Sequence, residues 1–152
     1  MNYLKFVISI GICLSVGFVA GMFTSTSVDT WYPSLRKPFF NPPDWVFGPV
    51  WTILYIMMGM ALYLVWNSRD KKIAITFFIL QLALNFLWSF LFFVLKNPLL
   101  AFLEIVLLLV MILLTAWHFH RISKVAGFLL IPYILWVGFA SVLNLSIYWL
   151  NR

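Results

Sequence analysis

The sequence predicts an all-α integral membrane protein: one bundle of five transmembrane helices, with a proline- and tryptophan-rich loop between the first two. Three observations carry that prediction. Of 152 residues, 64% are hydrophobic and only 9% are charged, whereas a soluble domain is about 25% charged. The charges divide the chain into uncharged apolar runs, each close to the roughly 20 residues that cross a bilayer. Finally, the stretch from Trp31 to Trp51, WYPSLRKPFFNPPDWVFGPVW, holds five of the seven prolines and three of the eight tryptophans. It is the one irregular segment in a chain otherwise suited to helices.

The expected spans are 6–27, 45–66, 73–95, 98–118 and 125–150, within a single domain over 1–152 and with a capping loop over 28–44. The first lies in an uncharged run of 23 residues between Lys5 and Asp29. That run exceeds the roughly 7–15-residue apolar core of a secretory signal peptide, so it is expected to remain as a helix. Gly17 and Gly21 form a GxxxG pair that lets a neighbouring helix approach closely. Packing inside the bundle is the expectation, and a homodimer seam is the alternative.

Pro33, Pro38, Pro42 and Pro43 fix φ and remove backbone donors, so residues 31–43 are expected as a stiff, partly extended loop. Loops of this kind tend to be functional rather than connective. Asp44 is placed to cap the second helix, with Pro49 in its first turns. A polar turn, Asn67 to Lys72, separates the second and third spans, and Lys96 ends the third. Asn97-Pro98 is a helix start, with an N-cap followed by proline at the first helical position. His118, Arg121 and Lys124 mark the exit of the fourth span, and Pro132 is expected to bend the fifth. The N-terminal side of the bundle collects Lys5, Arg69, Lys71, Lys72, Arg121 and Lys124, against Arg36, Lys37, Lys96 and Arg152 opposite. This bias favours a cytoplasmic N-terminus. A bacterial cell membrane is the expected location, since no Arg- and Ser-rich presequence precedes the first helix.

Several function classes are excluded. The net charge is +6, but it is scattered between apolar runs and forms no basic stripe, so nucleic acid is not an expected partner. Cys13 is the only cysteine, which rules out a disulfide or a cysteine metal site within one chain. Asp29, Asp44, Asp70 and Glu104 fall in separate segments and make no acid–base pair. No Walker loop or GxGxxG is present. Neither a metal nor a required cofactor is expected. His118 and His120 read as interfacial residues, with haem or metal ligation as the alternative.

Helical spacing then groups candidates for a binding site. Trp51 and Tyr55 share a face below the loop; Gln81, Asn85, Trp88 and Phe92 share one on the third span; Trp136, Ala140 and Asn144 share one on the fifth, with Leu143 beside it. Amides within hydrocarbon must face protein or a cavity, because leaving them unpaired costs several kcal/mol. Three such faces could converge on one cavity beneath the loop. The blander alternative is interhelical bonding by the amides and interface anchoring by the aromatics. Glu104 is either a functional carboxylate inside the membrane or one shallow enough to reach headgroups.

The residues Trp31-Tyr32, Lys37-Pro38, Asn41-Pro42-Pro43, Trp45 and Gly48-Pro49-Val50-Trp51 make the chain resemble the tryptophan-rich sensory protein family, whose animal members are called translocator protein or peripheral benzodiazepine receptor. The likeness continues through Leu54-Tyr55, Gly59, Gln81 to Asn85, Pro132-Tyr133, Leu135-Trp136 and Leu143-Asn144, and so covers nearly the whole chain. The resemblance implies a five-helix bundle binding porphyrins such as protoporphyrin IX, together with benzodiazepine- and isoquinoline-type drugs. It implies a cavity lined by Tyr32, Pro42, Trp51, Asn85, Trp88, Trp136, Ala140 and Leu143, which spacing extends to Tyr55 and Phe92. Arg36 and Lys37 at its mouth could meet porphyrin propionates. Leu145 stands where animal members carry tyrosine, which weakens the case for sterols even though Leu145 to Arg152 fits the generic cholesterol pattern.

Three functions compete: a receptor or sensor of tetrapyrrole state, an enzyme degrading protoporphyrin in light through Trp51 and Trp136, and a carrier. The carrier is the weakest, since five helices without a visible inverted repeat give alternating access little support.

Overall fold

The computed structural model describes residues 1–152 and is all-helical. Helix α1 is Tyr3–Ser25, α2 is Asp44–Trp66, and α3 is Lys71–Ser89, continued by a π-helical turn Phe90–Val94. Helix α4 is Pro98–Ile122; the last span is divided into α5, Lys124–Leu129, and α6, Ile131–Asn151. Five spans are thus long and apolar enough to cross a bilayer, and the chain is a multi-pass integral membrane protein.

The helix ends follow from local chemistry. Asn97 accepts from the Leu100 backbone N–H and Pro98 opens α4 without losing a needed donor. Asp44 does not cap α2: Pro43 occupies that position and Asp44 is the first helical residue, where its charge meets the positive end of the helix dipole. Pro132 does not bend the middle of a helix. The break lies at Leu130, and Pro132 falls in the first turn of α6, where its missing N–H costs nothing. Ser123 supplies a cap for α5 by accepting from Ala126 N–H at 3.3 Å.

Around the bundle, α1 packs on α2 and α3, α3 on α4, and α4 on α5 and α6, while α5 closes the ring against α2. The core runs through the half remote from the proline loop, where Met58, Ala61, Val65, Phe78, Ile112, Phe119 and Val137 are almost wholly buried. Helices α1 and α2 meet closely there: a Cβ at Gly59 would lie 2.5 Å from Ile10 Cα. One helical level nearer the loop, Gly17 faces the Tyr55 ring at the same 2.5 Å. The second glycine of the GxxxG pair behaves differently, since a Cβ at Gly21 would meet nothing within 4 Å. The two helices part as they approach the loop.

The loop is pinned at its start and near its middle. Ser27 Oγ donates to Phe93 O at 2.7 Å, and Asn151 clasps the backbone of Arg36, accepting its N–H at 2.9 Å and donating to its carbonyl at 2.8 Å. Between these anchors Tyr32–Ser34 form a single 3-10 turn, and beyond Arg36 the residues up to Pro43 are turn or extended.

Gly59→Ala is expected to lower bundle stability by about 1–3 kcal/mol, because the obstructing atom is Ile10 backbone. Gly21→Ala is expected to be neutral or to raise stability by up to about 1 kcal/mol through helix propensity. Thermal unfolding of both variants in detergent checks the contrast.

Candidate functional site

Beneath the loop the backbones of α2 and α6 stand apart, and side chains from α1, α2, α3, α4 and α6 enclose a cavity of about 640 Å³. That is within the roughly 300–1,000 Å³ typical of small-molecule sites. Its wall brings together Tyr32, Trp51, Tyr55, Asn85, Trp88, Phe92, Trp136, Ala140 and Leu143. Pro42, Arg36 and Lys37 are not on the wall. Lys37 instead lies over the Tyr32 ring, Nζ 4.6 Å from the centroid, and the Arg36 backbone is held by Asn151. The one charged side chain on the wall is Asp44, which is exposed at the mouth.

The floor is built by a buried chain of hydrogen bonds. Tyr55 OH donates to Asn85 Oδ1, Asn85 Nδ2 donates to Tyr133 OH at 2.7 Å, and Tyr133 OH donates to Gln81 Oε1 at 2.8 Å. The chain ties α2, α3 and α6 together, with Tyr55 and Asn85 reaching the cavity and Tyr133 and Gln81 standing behind them. A second relay fixes Trp88: its Nε1 donates to Asn144 Oδ1 at 2.9 Å, and Asn144 Nδ2 donates to Pro98 O at 2.8 Å. These bonds set ring orientation as well as satisfying amides that water cannot reach.

Aromatic contacts shape the remaining walls. Trp51 stacks on Tyr55 with centroids 5.7 Å apart and planes at 29°, and Phe47 meets Trp136 edge to face at 5.8 Å. The Trp136 indole N–H is buried with no hydrogen-bond partner. At the roof, burial and then the nearby Asp44 carboxylate push the Tyr32 hydroxyl above its ordinary pKa, while its bond to Asn41 pulls it down. The phenol therefore stays protonated near neutral pH.

Some of the wall escapes sequence reasoning. The π turn widens the end of α3 so that Leu91, Phe92 and Phe93 are buried in succession, and Phe93 joins Phe92 on the wall. A regular 3.6-residue period brings Phe92 but not its neighbour to that face. Phe47, Val28, Ile105, Leu108 and Ile147 also line the cavity; being ordinary apolar residues in apolar runs, they carry no signal. Glu104 lies off the wall, 7% exposed, with both carboxyl oxygens lacking hydrogen-bond partners, so it does not reach out to headgroups. His118 Nδ1 contacts Leu114 O at 2.8 Å and its ring packs on Phe77, and the ring of His120 packs on Phe128.

Comparison with known proteins places this geometry. The model of the TspO/MBR family matches residues 9–150. A tryptophan-rich protein TspO of Archaeoglobus fulgidus is 49% identical over 99% of both chains, and one of Chlorobaculum tepidum is 47% identical over 97% of this chain and 96% of its own. The translocator protein of Bos taurus is 35% identical over 84% of this chain and 79% of its own.

Tyr133→Phe strands the Asn85 amide and Gln81 Oε1 in the bundle interior. A stability loss of about 1–3 kcal/mol is expected, read by thermal unfolding in detergent. Tyr148→Phe, near the end of α6, serves as the silent control.

Proposed function

The chain belongs to the TspO/MBR family, and on that premise we propose that it is a membrane receptor for porphyrins such as protoporphyrin IX, and for benzodiazepine- or isoquinoline-type molecules, held in the cavity under the loop. The observation that carries the proposal is the convergence of Trp51, Trp88 and Trp136 on one enclosed space floored by a rigid amide. Indole faces offer a planar guest large stacking areas, roughly 150–250 Å² of burial per aromatic residue. A receptor needs no more than this, with the loop or helix ends reporting occupancy to a partner as a signal of tetrapyrrole or oxidative stress.

Charge placement refines the expected pose. Asp44 is the only charged side chain on the wall, and Arg36 and Lys37 stand off it. The wall therefore offers no counter-charge for propionates, and these groups stay at the mouth while the ring enters.

A second reading is favoured by Trp51 and Trp136 both standing on the wall. Light-excited protoporphyrin could take an electron from an adjacent indole and pass it to oxygen as superoxide. The indole radical cation would then recover an electron from the porphyrin, and the porphyrin radical cation would combine with the superoxide. The ligand thus supplies the electrons, oxygen takes them, and the protein acts as a photo-oxidative enzyme that consumes its ligand.

Titration of protoporphyrin IX into the detergent-solubilised protein should quench tryptophan fluorescence with one-site saturation. Trp51→Ala combined with Trp136→Ala should weaken binding at least about tenfold. Asp44→Asn should strengthen protoporphyrin binding about two- to fivefold by removing a like charge, and leave a neutral isoquinoline carboxamide unchanged. Absence of saturable quenching contradicts the receptor. For the enzyme, Trp51→Phe should keep binding but lose light-driven bleaching; bleaching at the wild-type rate removes Trp51 as the donor.

A further inference from the structure

Besides the loop-side mouth beside Asp44, the cavity has an edge that faces lipid. Four of its wall residues, Phe18 and Gly21 on α1 and Gly48 and Thr52 on α2, are exposed although they lie within membrane-spanning helices. They form facing edges, since Gly17, Phe18 and Gly21 share one face of α1 while Gly48, Thr52 and Tyr55 share one face of α2. The gap between these edges follows from how the two helices pack. They touch at Gly59 and Gly17, where an added Cβ would come within 2.5 Å of Ile10 and Tyr55. At Gly21 and Gly48 an added Cβ would meet nothing within 4 Å. The rim also suits hydrocarbon, because the Thr52 hydroxyl is satisfied by Gly48 O of its own helix at 2.8 Å.

The loop-side route is restricted. The roof is held by the Asn151 clasp on Arg36 and by the Ser27 bond to Phe93, and Tyr32 beneath it is only 6% exposed. The seam between α2 and α6 is bridged by the Phe47–Trp136 contact. We infer that ligands reach the cavity sideways from the bilayer, through a portal between α1 and α2 framed by Phe18, Gly21, Gly48 and Thr52. The class admitted is therefore lipophilic molecules already dissolved in the membrane, and water-borne polar molecules of similar size are excluded. This deepens the receptor reading and rests on the cavity being its ligand site.

The test uses a reporter that needs no porphyrin. Ala140→Cys on the α6 wall, in a Cys13→Ala background, is reconstituted into phosphatidylcholine vesicles. It is then treated with a bilayer-dissolved N-alkyl maleimide or with a sulfonated, water-confined methanethiosulfonate. The alkyl reagent should label readily and the sulfonated one slowly. Gly21→Phe with Gly48→Phe should slow alkyl labelling about tenfold or more, and Phe18→Ala, which widens the gap, should speed it about threefold. Asn151→Ala, which releases the loop, should change neither rate. Alkyl labelling indifferent to both portal variants, or sulfonate labelling accelerated by Asn151→Ala, would overturn the lateral route in favour of the loop. Because labelling needs no porphyrin, a portal that controls it stands even if protoporphyrin fails to bind. Protoporphyrin that binds while labelling ignores the portal removes the route alone.

Discussion

The structure depends on keeping a set of amides and phenols satisfied where no water can reach them. Gln81, Tyr133, Asn85 and Tyr55 form one continuous chain of donors and acceptors across three helices. In an aqueous core such a chain contributes little net stability, since the unfolded groups bond water equally well. Within hydrocarbon the alternative is a stranded polar group, so the chain restricts how α2, α3 and α6 can be arranged. Asn85 is held by Tyr55 and Tyr133 together, which gives the cavity floor a fixed orientation before any guest arrives. A preorganised floor reduces the ordering cost of binding.

The cavity itself results from uneven packing. Glycines draw α1 onto α2 at Gly59 and Gly17, where the close approach needs the missing side chain. Nearer the loop nothing holds the helices together, and α2 also stands away from α6. The break at Leu130 gives the last span two parts, so that α5 packs on α2 while α6 packs on α4. The π turn at the end of α3 then directs two successive phenylalanines inward. Empty space is costly in a core, but here it is lined by large flat rings pinned through the Trp88–Asn144–Pro98 and Trp51–Tyr55 contacts.

Much of this was legible in the residues. Hydropathy delimits the five spans, and Asn97-Pro98 announces the start of α4 because capping is a local event. The convergence of Trp51, Asn85 and Trp136 is legible because amides in apolar helices have so few tolerable surroundings. What failed to show depends on distances between helices. Pro132 reads as a kink, yet the helix restarts one residue before it. Asp44 reads as a cap but sits one position too late. Arg36 and Lys37 carry no sequence signal for what holds them: an asparagine 115 residues away bonds the Arg36 backbone, and Lys37 lies over the ring of Tyr32 and off the wall itself. Gly17 and Gly21 look equivalent in sequence, and only the splay of α1 from α2 makes one a packing residue and the other a rim.

The central claim is that a planar guest sits between the indoles, inside the bundle. Its most direct test is a structure of the protein crystallised from lipidic mesophase with protoporphyrin IX. The ring is expected within about 4 Å, contact distance, of Trp51, Trp88 and Trp136, with the propionates at the loop-side mouth near Asp44. A ring bound on the outer, lipid-facing surface, with the space between those three tryptophans unchanged, would contradict it.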